Sequence, residues 1–93
     1  MSKLDQFYTF IDSVDKRVCL FYLNPAQLTY LSSTIKDLKL ANLSYRIFSV
    51  DKKFAEEIQL LKLPQLRLFN NGSEVINLTG NDIVDFIKKF KEL

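Results

Sequence analysis

Leu63-Pro64-Gln65-Leu66-Arg67-Leu68-Phe69-Asn70-Asn71-Gly72-Ser73-Glu74-Val75-Ile76 is the stretch that decides the fold. Proline cannot donate to a sheet ladder, so Pro64 belongs at the start of a strand or on an edge. Asn71-Gly72 is the strongest short hairpin signal, because both residues accept the positive φ that a tight hairpin turn needs. The stretch therefore predicts two antiparallel strands, near 65–70 and 73–78. Arg67 interrupts an apolar run, so one face of that strand must reach solvent, a carboxylate or a partner.

Upstream, Val18-Cys19-Leu20-Phe21-Tyr22-Leu23 is an apolar run without alternation, as expected of a strand buried on both faces. Before it, Leu4, Phe7, Tyr8, Ile11 and Val14 recur at helical spacing and predict a helix over roughly 3–14, with Ser2 as cap. After it, Asn24 can cap a helix that Pro25 starts. Leu28, Leu31, Ile35 and Leu38 form the inner stripe of that helix, to about Leu40. Tyr45–Val50 is the next strand, and Asp51 caps a short helix with Phe54, Ile58 and Leu61 on one face. Asn81 or Asp82 opens a last helix carrying Ile83, Phe86, Ile87 and Phe90. The order is αβαβαββα in one domain over 1–93, an α/β fold. Right-handed crossovers and the hairpin give a four-stranded mixed sheet, ordered 45–50, 18–23, 65–70, 73–78. The expected core includes Leu20, Leu31, Ile47, Phe48, Leu66, Leu68, Phe86 and Phe90.

Composition narrows the function. Net charge is +2, from 13 basic and 11 acidic residues, which gives no electrostatic case for nucleic-acid binding. The chain has one cysteine and no histidine, so Ser/His/Asp and Cys/His nucleophile arrangements and the usual zinc ligand sets are ruled out. Neither a metal nor a cofactor is expected. No leader and no apolar run of membrane-spanning length is present, which predicts a soluble cytoplasmic protein without membrane attachment.

From Val18 onward the chain resembles the thioredoxin and glutaredoxin core. Leu63-Pro64-Gln65-Leu66 is similar to the Thr-Val-Pro-Gln-Val pattern of glutaredoxins and the Ile-Pro-Thr-Leu pattern of thioredoxins. Phe69-Asn70-Asn71-Gly72 is similar to Phe-x-Asn-Gly of thioredoxins, and Thr79-Gly80-Asn81-Asp82 resembles the approach to their last helix. The resemblance implies a cis bond at Leu63–Pro64 and a groove beside it that holds a peptide or glutathione backbone. It also places the family's Cys-x-x-Cys pair in the loop after the central strand. Here that loop reads Leu23-Asn24-Pro25-Ala26-Gln27-Leu28-Thr29-Tyr30. One register puts Leu23 and Ala26 at the cysteine positions, and a glutaredoxin-like register puts Gln27 and Tyr30 there. Neither supplies a thiol, and thiol–disulfide exchange begins with a thiolate. Cys19 lies inside the strand and is expected to be buried and inert.

The expected function is a redox-inactive thioredoxin-like interaction module, not an enzyme, binding a protein partner or a second copy. Its candidate binding residues are Asn24, Pro25, Ala26, Gln27, Tyr30, Leu63, Pro64 and Gln65, with charge changes at Ala26 and Gln65 tolerated by the fold. The alternative is a glutathione-binding transferase or reductase-like enzyme that uses the cis-proline loop and the Asn81–Asp82 helix start.

Overall fold

A computed structural model describes residues 2–93. The central strand β1 (Lys16–Tyr22) pairs in parallel with β2 (Ser44–Ser49) and antiparallel with β3 (Gln65–Asn70). β3 pairs antiparallel with β4 (Ser73–Thr79), so the sheet order is β2-β1-β3-β4. The hairpin between β3 and β4 turns at Asn71 (φ 54°) and Gly72 (φ 80°), the two positive φ values that the Asn-Gly pair supplies without strain.

Alternation along β1 divides the core into two layers, although the strand is apolar throughout. Cys19 and Phe21 face a mainly aromatic layer with Phe7, Phe48, Phe54 and Phe69. Val18 and Leu20 face an aliphatic layer with Leu31, Leu38, Leu66, Leu68, Ile76 and Ile83, closed by Phe86. Helix α1 (Lys3–Ile11) and helix α4 (Lys52–Glu57) cover the first layer. Phe7 of α1 meets the rings of Phe21, Phe48, Phe54 and Phe69 at centroid distances of 5.9, 6.0, 6.3 and 5.7 Å. Helix α3 (Ser32–Leu40) and the terminal α5 (Phe86–Lys91) cover the second.

Several expected boundaries and contacts shift. Ser2 caps α1 in a capping box with Asp5, but the helix ends at Ile11 and not near Val14. Ser13 Oγ accepts from the Asp15 N–H (3.1 Å), a local bond that competes with helix continuation, and Val14 is exposed. Tyr8 lies on the outer side of α1 and is also exposed. The single helix expected over 25–40 is divided into α2 (Pro25–Tyr30) and α3, joined at Leu31. Thr29 Oγ1 donates to the Pro25 carbonyl (3.2 Å), a back-bond that bends helices, and Ser32 and Ser33 follow as poor helix formers. The inner stripe survives the bend at Leu31 and Leu38, while Leu28 and Ile35 are half-buried.

Phe54 and Ile58 are buried as the α4 pattern requires, but α4 ends at Glu57 and Leu61 is 90% exposed. Ile47 is half-buried because β2 is an edge strand, and Phe90 is half-buried in the last turn of α5, under the Lys16 ammonium. The expected last helix begins as a 3-10 helix (Gly80–Asp85), where neither Asn81 nor Asp82 serves as cap. The Leu63–Pro64 bond is cis.

Candidate functional site

Three segments meet beyond the C-terminal end of β1. The first is the start of α2, where Asn24 is the N-cap and its Oδ1 accepts from the Gln27 N–H (3.1 Å). Pro25 at the next position fits its fixed φ to the first helical turn. The second is the Leu63–Pro64 turn into β3. The third is the beginning of the 3-10 helix, where Gly80 takes φ 56°, a conformation that a side chain would strain.

Between them lies an open cleft of about 350 Å³, lined by Asn24, Ala26, Gln27 and Tyr30 on one side, Pro64 on the second, and Gly80 and Asn81 on the third. Hydrogen bonds join the three sides. Gln27 Oε1 accepts from the Leu23 N–H (2.6 Å), and its Nε2 donates to the Leu63 carbonyl (3.2 Å). The Gly80 N–H donates to the Pro64 carbonyl (3.0 Å). The Tyr30 hydroxyl lies 3.2 Å from Asn81 Oδ1 and 3.4 Å from the Gly80 carbonyl, two acceptors for one hydrogen. No charged side chain lines the cleft among the described residues. Its chemistry is amide, hydroxyl and apolar surface.

The sequence-expected residues divide clearly. Asn24, Ala26, Gln27, Tyr30 and Pro64 converge on the cleft. Pro25 is exposed and does not line it. Leu63 turns its side chain toward the aromatic core and offers its carbonyl. Gln65 is 4% exposed and bonds to Arg67 and to the Lys62 carbonyl, so it is a buried polar group and not a tolerant surface position. Leu23 is exposed and Leu28 half-buried beside this site. Gly80 was missing from the sequence-derived site, and Asn81 entered it only in the glutathione-binding alternative. Both stand far from Tyr30 in sequence, and the motif Thr79-Gly80-Asn81-Asp82 pointed to a helix start near the cis-proline loop and not to a bond with Tyr30.

Cys19 belongs to another part of the molecule. It is fully buried in the aromatic layer, opposite Arg46 on β2 and Arg67 on β3. Burial pushes its thiol up to about 12, with Arg67 and then Arg46 partly opposing that rise. Arg67 answers the question raised by its position in an apolar strand. Its guanidinium is paired with the Glu74 carboxylate (3.4 Å) and lies over the Phe21 ring (5.6 Å to the centroid).

No protein-family model matches the chain, and no curated protein matches it in sequence. Solved structures do match it. Mitochondrial thioredoxin 3 from Saccharomyces cerevisiae superposes with a TM-score of 0.72 at 22% identity, covering 97% of this chain and 90% of that one. Thioredoxin from Trypanosoma brucei brucei superposes with a TM-score of 0.81 at 11% identity, covering 99% and 86%. Thioredoxin O2 from Arabidopsis thaliana gives 0.77 at 15% identity, covering 100% and 90%. The chain has a thioredoxin-like fold.

Proposed function

We propose that the protein is a redox-inactive thioredoxin-like interaction module, and that the cleft between Asn24–Tyr30, Pro64 and Gly80–Asn81 holds a protein partner. The observation that carries this reading is the composition of the cleft. Its walls supply amides, a tyrosine hydroxyl and apolar surface, with no thiol and no charge. An uncharged surface of this kind suits a protein partner, including a second copy of the chain, better than phosphate or metal. The lone thiol is sealed in the core, where ionisation is strongly disfavoured, so exchange chemistry has no nucleophile. A single unpaired cysteine also fits a reducing compartment such as the cytoplasm.

Glutathione is the competing ligand. It carries two carboxylates, and the cleft offers them no cation. The test is capture from an extract of the source cell by the parent chain and by Ala26→Glu, with sedimentation of both to follow self-association. Ala26 is exposed on the cleft wall, so the fold tolerates the charge. The expected outcome is a partner, or a dimer, lost in Ala26→Glu, with no saturable amide shifts on addition of glutathione to the parent. Identical capture and association by both chains would place the function elsewhere.

A further inference from the structure

The proline side of the cleft is fixed by side chains more than by regular secondary structure. The Leu60 N–H closes the end of α4 on the Ala55 carbonyl (2.8 Å), and β3 begins at Gln65. Between these points, Gln65 Nε2 donates to the Lys62 carbonyl (3.3 Å), Gln27 Nε2 to the Leu63 carbonyl (3.2 Å) and the Gly80 N–H to the Pro64 carbonyl (3.0 Å). Gln27 and Gly80 already belong to the cleft. Gln65 does not, and its orientation is a separate matter. A primary amide has a donor end and an acceptor end of nearly equal shape, so space alone does not decide which end faces Lys62.

Arg67 decides it. A guanidinium has donors and no acceptor. Its Nε–H donates to Gln65 Oε1, which turns the amide nitrogen of Gln65 toward the Lys62 carbonyl. We infer that Gln65, its amide oriented by Arg67, is the positioning residue for the Lys62–Pro64 turn that carries Pro64 to the cleft, an inference that rests on reading the cleft as the binding site. Arg67 is itself held from three directions. Its Nη2 donates to the carbonyls of Ile58 (3.1 Å) and Gln59 (3.4 Å), where Gln59 takes φ 57° at the end of α4. Glu74 on β4 supplies the countercharge at 3.4 Å. Phe21 supports the guanidinium plane from β1. The chain Glu74–Arg67–Gln65–Lys62 thus joins the hairpin to the turn that precedes Pro64.

The prediction is specific because Gln65→Glu separates the two bonds. A carboxylate still accepts from Arg67, and more strongly, but it has no hydrogen for the Lys62 carbonyl. Backbone 15N relaxation of the free protein reads the result. Order parameters at Lys62 and Leu63 should fall from about 0.85 to below about 0.6, while Val18 and Leu20 in β1 stay unchanged. Arg67→Met should loosen the same residues, and Gln65→Glu decides the matter if Arg67→Met does not fold. Unchanged order parameters at Lys62 and Leu63 in Gln65→Glu, or a loss shared equally with β1, would overturn the inference. No partner is present in this measurement, so a cleft that binds nothing refutes the proposed function and leaves this result intact.

Discussion

Cys19 shows how much one residue's place in a strand decides. The same thiol at a helix N-terminus would be lowered toward a reactive thiolate. In the middle of β1 it belongs to the buried aromatic layer of Phe7, Phe21 and Phe48, and burial raises it from 9.0 to about 12. Below pH 9.0 the thiol is protonated in both the folded and unfolded chains, and its contribution to stability is complete. Above that point the unfolded chain releases the proton and the folded chain keeps it. Stability attributable to Cys19 therefore falls by up to about 1.4 kcal/mol per pH unit until the folded value is reached. Urea unfolding of the parent and of Cys19→Ala between about pH 8 and 11 isolates the effect, because lysine and tyrosine titrations are common to both. The parent's advantage should shrink above pH 9, and parallel profiles would contradict the burial account. The burial of Cys19 was legible in the sequence, since it lies in an apolar run without alternation; the run overreached only at its end, where β1 stops at Tyr22 and Leu23 is exposed. Arg67 was half legible. Its interruption of an apolar strand announced a carboxylate, solvent or partner, but Glu74 became identifiable only once the hairpin brought β4 beside β3.

At the scale of elements, the strands and the hairpin were readable because their signals are local. An apolar run, a proline and an Asn-Gly pair each act within a few residues. The helices were less so. Leu28, Leu31, Ile35 and Leu38 keep helical spacing across the bend at Leu31, so periodicity alone describes one helix where the chain makes two. The Thr29 back-bond that accompanies the bend leaves no trace in a hydrophobic pattern. The contact of Gly80 and Asn81 with Tyr30 was missed for the related reason that it spans the second half of the chain. Helix α1 is attached chiefly by one side chain. It buries Phe7 against four phenylalanine rings from β1, β2, α4 and β3, while Leu4, Phe10 and Ile11 are only partly buried. Phe7→Ala should cost roughly 3–5 kcal/mol, transfer and cavity together. That is a large share of the stability of a small domain, typically about 5–15 kcal/mol. A fall in the urea midpoint of matching size is expected. A loss below about 1 kcal/mol, well under the usual range for such a truncation, would show that α1 is dispensable to the core.

For the whole molecule, the sheet order β2-β1-β3-β4 and its superposition on thioredoxins set the place where function is sought, and the residues there set what kind it is. Fold alone hosts many activities, so the cleft and not the superposition supports the proposed binding. The loops at the end of β1 and before β3 converge as they do in open α/β folds, where ligands collect beyond the strand ends. The convergence was foreseeable from topology. The cross-bonding of the three walls by Gln27, Tyr30 and Gly80 was not, because each of those bonds joins residues remote in sequence. The function proposed for this thioredoxin-like fold is binding without thiol exchange. Reduction of a small disulfide substrate, measured for the parent and for Cys19→Ser with the same external reductant, tests it most directly. Both chains should match the protein-free rate. Turnover by the parent above that rate, abolished in Cys19→Ser, would contradict the account and require β1 to open and expose its thiol.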